Sequence, residues 1–174
     1  MYKVFQIKLS KEVTNFVNSN DRGHLGAEEK YPEYNAHMKT MRGAEYFKGE
    51  MFEHYTNVCN VARNGGLVSG TRSLDPFLLD NLEEVFKVLN GYYFDEDSGE
   101  DIVFDNHVSG YKMKTVTRKD GEVIEYRDMH SLSVGDIVYD VEEDTYNIVD
   151  SFGFKDITAD IVSNISREAL NEIS

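Results

Sequence analysis

The chain has one cysteine, two prolines and no tryptophan among 174 residues. A single thiol, Cys59, excludes an intrachain disulfide and a cysteine-built zinc centre, and it suits a reducing compartment. Cys59 lies in the apolar run Val58-Cys59-Asn60-Val61 and reads as a small buried hydrophobe. No apolar run approaches the roughly 18 residues of a membrane span. Met1-Tyr2-Lys3-Val4-Phe5-Gln6 carries one charge and then alternates, unlike a secretory leader, so a cytoplasmic location is expected. Positive charge is also scarce. There are 18 Lys and Arg against 32 Asp and Glu, a net of -14. The deficit is local: residues 1–70 hold 9 basic and 8 acidic groups, whereas residues 71–174 hold 9 and 24. A field of that sign repels DNA, RNA and anionic lipid, which are bound through Lys and Arg. What it allows is a partner protein with a basic face, or simply a solvated surface.

The signatures of common chemistries are missing too. None of His24, His37, His54, His107 and His130 forms an HxH or HExxH pattern. There is no GxSxG elbow, no phosphate-binding Walker loop and no GxGxxG. Asn64-Gly65-Gly66 is a turn signal without a following Lys-Ser or Lys-Thr. Asp95, Asp97, Glu100, Asp101 and Asp105 invite a calcium reading, but the register fails. Counted from Asp95, Gly99 is fifth and Asn106 twelfth, where a calcium loop needs Gly sixth and Glu twelfth. No metal, cofactor or catalytic residue is therefore assigned. A Ser-His-Asp set could be written from Ser131, His130 and Asp128, yet neighbours on a strand point to opposite faces.

What is present is a mixed pattern of elements. Tyr2–Leu9 alternates as a strand, with Val4 on one face and Phe5, Ile7 and Leu9 on the other. Ser10 can cap a helix over Lys11–Asn18, and Ser19–Gly26 reads as a loop. Glu28–Arg42 has helical spacing, with Pro32 early and Gly43 just past its end. Phe47–His54 is ambiguous, and Tyr55–Ala62 alternates as a strand. Asp75 can cap and Pro76 start a helix that Gly91 stops, with Leu78, Leu82, Val85, Phe86 and Leu89 on one face. Asp95–Asp101 reads as an acidic loop. Tyr111–Thr117 and Val123–Tyr126 flank Asp120-Gly121, a hairpin signal. Two further strands and a C-terminal helix follow, with Asp156 or Thr158 as its cap. The order predicts an α+β fold with a mostly antiparallel sheet and packed helices, and allows a small barrel-like C-terminal half. Two parts are expected within one compact domain: a near-neutral β-α-α-β segment over 1–70 and an acidic part over 71–174. The Gly- and Ser-rich stretch from Asn64 to Ser73 is the weakest point between them.

The most informative segment runs from His130 to Phe154. Ser133-Val134-Gly135-Asp136 turns into Ile137-Val138-Tyr139; Glu142-Glu143-Asp144 interrupts; Tyr146, Ile148 and Val149 resume the apolar pattern. Ser131, Leu132, Ser133, Val134, Gly135 and Asp136 read as a structural turn, and Asp150 and Gly153 as parts of a second. With Leu82–Asn90, and with Tyr55 and Val58 upstream, these stretches resemble the YodL-like family over about residues 52–157. The shared pieces are Ser-Leu-Ser-Val-Gly-Asp-Ile-Val and Val-Asp-Ser-Phe-Gly-Phe. The acid loop and Asp120-Gly121 hairpin stand where that family often has a shorter connection. The resemblance implies a small accessory protein of phages or mobile elements, some members of which sit in anti-restriction contexts. It brings no catalytic residues with it.

Three functions follow as expectations. The first is a non-enzymatic acidic module that binds a basic host protein, in the host cytoplasm if phage-encoded. Its contact residues would be Tyr92, Tyr93, Asp95, Glu96, Asp97, Glu100, Asp101, Glu142, Glu143 and Asp144. The second is a DNA or RNA mimic whose carboxylates form a phosphate-like track. The third is a hydrolase or nucleotide-binding enzyme, with a pocket lined by two of His107, His130, Asp128 and Asp136. Neither a membrane nor directly bound nucleic acid is expected as a partner, and the pattern leaves the oligomeric state open.

Overall fold

The computed structural model describes residues 1–19, 23–63, 81–90, 94–95, 100–101, 108–109, 113–127 and 129–173. It is an α+β fold in two compact units. The first comprises Met1–Val4 and Asn57–Leu132, the second Phe5–Thr56 and Ser133–Ser174.

The first unit holds the start of β1 (Tyr2–Ile7), most of β2 (Tyr55–Val61) and β5 (Val108–Ser109), in the order β1-β2-β5. β2 and β5 are antiparallel, with Asn60 opposite Ser109 and Val61 opposite Val108. Helix α4 (Leu82–Asn90) belongs to the same unit. Its cap is Asn81, whose Oδ1 accepts the Glu84 N–H at 3.0 Å. Asp75 and Pro76, the expected start, lie outside the described residues, as do Leu78 and Gly91. Val85 and Leu89 are buried, and Leu82 and Phe86 half-buried, so the expected stripe faces inward. Tyr2, Val4, Val58, Cys59, Val61 and Leu132 are also buried, and the Arg63 guanidinium sits 4.8 Å over the Tyr2 ring.

Two small hairpins complete this unit. β6 (Met113–Thr117) pairs with β7 (Val123–Arg127), with Thr117 opposite Val123. Between them the Gly121 N–H bonds Arg118 O at 2.9 Å and the Arg118 N–H bonds Glu122 O at 2.8 Å. Gly121 has φ +86, the left-handed step that closes such a loop. The acid loop is not wholly a loop: β3 (Phe94–Asp95) pairs with β4 (Glu100–Asp101), Phe94 opposite Asp101. A two-residue ladder is compatible with the polar sequence because a hairpin is closed by backbone bonds.

The second unit orders its strands β10-β9-β8-β1, where β8 is Ile137–Asp140, β9 Thr145–Val149 and β10 Phe154–Asp156. β8 and β10 each pair antiparallel with β9. The row is open, with β10 at its end. The small barrel-like C-terminal half that the order of elements allowed is therefore not formed. A barrel needs both end strands to meet, and the chain instead leaves β10 directly for helix α5 (Thr158–Ile173).

Three helices precede these strands: α1 (Lys11–Asn18), α2 (Gly23–Lys30) and α3 (Pro32–Arg42). Ser10 caps α1, its side chain accepting the Val13 N–H at 3.2 Å. The expected helix from Glu28 is two helices. Tyr31 is extended (φ -118, ψ 108) because the residue before a proline is pushed out of the helical region. Pro32 then opens α3, and α2 begins inside the expected loop. The ambiguous stretch Phe47–His54 holds a 3₁₀ turn at Gly49–His54, and another, Ala44–Tyr46, precedes it. The core of this unit gathers Ile7, Ala36, Ala44, Phe47, Met51, Ile137, Ile148, Ile157 and Ile161. A smaller cluster of Val13, Ala27 and Tyr34 holds α1, α2 and α3 together. Each buried aliphatic side chain contributes about 1.5–3 kcal/mol of transfer free energy.

Candidate functional site

The acidic hairpin between β8 and β9 is the expected contact region that the structure describes in full. Asp140 and Thr145 close it, and Val141–Asp144 form the turn. Asp140 is buried, and its Oδ1 accepts the backbone N–H groups of Glu142 at 3.0 Å and Glu143 at 3.3 Å. That carboxylate shapes the tip. Glu142, Glu143 and Asp144 are all exposed. Asp144 adopts φ +53, a left-handed conformation that Asp and Asn tolerate better than other side chains.

Two tyrosines brace this tip. Tyr139 and Tyr146 are cross-strand partners, and their rings stack at 4.4 Å and 26°. The Tyr139 hydroxyl donates to Asp144 Oδ1 at 2.6 Å. That bond, assisted by burial and by the charges of Asp144 and Asp140, pushes the Tyr139 phenol up to about 12. Behind the pair, Tyr146 meets the edge of Phe52 at 5.3 Å, and Phe52 meets Phe5 at 5.3 Å. The tip therefore stands on a column of rings continuous with the core, which restricts its motion. The Tyr146 backbone is also tied down: its N–H bonds Thr158 Oγ1 at 2.9 Å, and its carbonyl accepts the Ile157 N–H at 2.8 Å. Asp156 accepts the Thr158 N–H at 2.8 Å, which supports the start of α5, and the Thr158 side chain together with that N–H holds its carboxyl below the usual range.

The other acidic candidates are distributed differently. Asp95, Glu100 and Asp101 sit in the β3–β4 pair, while Tyr92, Tyr93, Glu96 and Asp97 lie outside the described residues. Two of the described acids of the first unit stand beside bases. Lys87 is 3.8 Å from Glu83, and Arg118 is 3.2 Å from Glu122. In the C-terminal segment of the second unit the balance differs: Glu142, Glu143, Asp144, Asp156 and Asp160 are exposed, against exposed Lys155 and Arg167.

The Ser131–Asp136 and Asp150–Gly153 segments are occupied with holding the backbone. The Asp136 N–H bonds Ser133 O at 3.0 Å, and Asp136 Oδ2 accepts the Ser133 N–H at 2.8 Å. The same Oδ2 accepts from Gln6 Nε2 at 3.0 Å. Gly135 has φ +93, and a Cβ there would lie 3.0 Å from both the carbonyl carbon and Oγ1 of Thr40. Its carbonyl accepts from the Tyr55 hydroxyl at 2.6 Å, and burial pushes that phenol well above its ordinary value. Val134 is half-buried. Val149 exchanges bonds with both turn residues: Val149 O accepts the Gly135 N–H at 2.9 Å and Val149 N donates to Asp136 O at 2.8 Å. In the first unit, Ser131 is exposed, and Leu132 is buried with its carbonyl accepting from Asn90 Nδ2 at 3.1 Å. Asp150 Oδ1 accepts from Ser151 N at 2.8 Å and Ala44 N at 3.2 Å, which lowers its pKa, with Lys155 adding to the effect. The carbonyl of Gly153, which has φ +78, accepts the Asp150 N–H at 2.9 Å.

Of the residues named for an enzyme the structure describes two, one in each unit. His130 is exposed, with Nδ1 2.8 Å from Ser131 O, whereas Asp136 is buried; His107 and Asp128 lie outside the described residues. Among the described residues no three His, Cys, Asp or Glu side chains are placed to hold a metal ion. No described helix is long and apolar enough to cross a membrane.

Sequence reasoning missed the tyrosine brace and one exposed aromatic. Tyr139 and Tyr146 sit symmetrically about the acidic turn, a signal present in the spacing Tyr-Asp-Val-Glu-Glu-Asp-Thr-Tyr. Phe152 is 97% exposed, at the tip of the β9–β10 turn. Compared with known proteins, the chain matches no family model, no curated protein and no solved structure.

Proposed function

We propose that this is a non-enzymatic acidic protein that binds a basic partner protein through the β8–β9 hairpin. Its resemblance to the YodL-like family makes it an accessory protein of a phage or mobile element, acting in the cytoplasm of the host as an inhibitor of a host or defence protein. The observation that carries this reading is the presentation of Glu142, Glu143 and Asp144 on a hairpin stacked against Tyr139 and Tyr146. A Lys or Arg of a partner would meet carboxylates at the tip and an aromatic surface for its aliphatic stem. Because the tip is already ordered, less conformational entropy is lost on binding than with a mobile acidic tail.

Capture from host lysate tests it, with wild type beside a Glu142→Gln, Glu143→Gln, Asp144→Asn variant. A protein retained by wild type at low salt, released at high salt and not retained by the variant is the expected result. Retention indifferent to both salt and the three substitutions overturns the proposal.

A further inference from the structure

We draw no further inference here: the strongest candidate, the exposed Phe152 ring at the tip of the β9–β10 turn, carries none because nothing in the structure shows what covers it.

Discussion

Gln6 and Asp136 stand 130 residues apart in sequence and meet at 3.0 Å, Nε2 to Oδ2, with both side chains buried. The same carboxylate oxygen accepts the Ser133 N–H, so one atom joins β1 to the turn that launches β8. Asp136→Ala removes the acceptor from two donors at once. The expected loss is about 2–4 kcal/mol, since an unsatisfied buried donor costs roughly 1–3 kcal/mol. Asp136→Asn, which keeps a carbonyl oxygen, is expected to lose less. Urea unfolding of both variants checks the order; equal losses would mean that the negative charge matters and that a neutral acceptor does not replace it.

Glycine substitutions separate backbone strain from crowding. Gly121, Gly135 and Gly153 all have positive φ, but a Cβ meets nothing within 4 Å at Gly121 or Gly153. Alanine at either of those is expected to cost about 1–2 kcal/mol, the left-handed penalty of an ordinary residue. At Gly135 the new methyl also presses on Thr40, so Gly135→Ala is expected to cost clearly more. Thermal unfolding of the three variants measures this; a Gly135→Ala protein no worse than Gly153→Ala would contradict the close approach.

Acid should weaken the fold through Asp150 and Asp156. Both carboxyls are held below the ordinary carboxylate range, Asp150 mainly by the N–H groups of Ser151 and Ala44, Asp156 mainly by Thr158. A depressed folded-state pKa contributes stability that is present above the unfolded value and is lost as pH falls through the folded one. Asp150→Asn removes one such contribution. Its melting temperature is expected to lie below wild type at neutral pH and to approach it as the pH falls below the ordinary carboxylate range. A constant gap at every pH would exclude this linkage.

The Tyr139–Asp144 bond can be read optically. Spectrophotometric titration should place one phenol near 12, assigned by its absence in Tyr139→Phe. Asp144→Asn removes the nearby negative charge, so the Tyr139 step is expected to move down toward the ordinary tyrosine value. No movement would mean that the charge of Asp144 does not act on the phenol in solution.

Local signals were legible where the chain decides matters by itself. The Asp120-Gly121 hairpin, the Ser10 cap, the inward stripe of α4 and the two strands around Glu142–Asp144 were all readable from spacing and turn chemistry. The α+β class followed from the order of those elements. Tertiary contacts were not legible. Nothing in the alternation of β1 marks Gln6 as buried, because its partner lies at the far end of the chain. Asp75-Pro76 offered a stronger local start signal than Asn81, yet Asn81 caps the described helix. At the candidate site the acidic tip was visible, but the stacking of Tyr139 on Tyr146 depends on strand register, which composition does not state. The order of elements did not determine closure, since a barrel depends on whether its end strands meet.

The salt dependence of the captured partner's affinity tests the central claim most directly, measured for wild type and for the Glu142→Gln, Glu143→Gln, Asp144→Asn variant. The Asn at 144 keeps the left-handed turn accessible and leaves an acceptor for Tyr139, so the hairpin is expected to stay folded. Wild type is expected to lose affinity steeply with salt, whereas the variant binds more weakly and with a flatter slope. Matching affinities and slopes for the two proteins would contradict the claim.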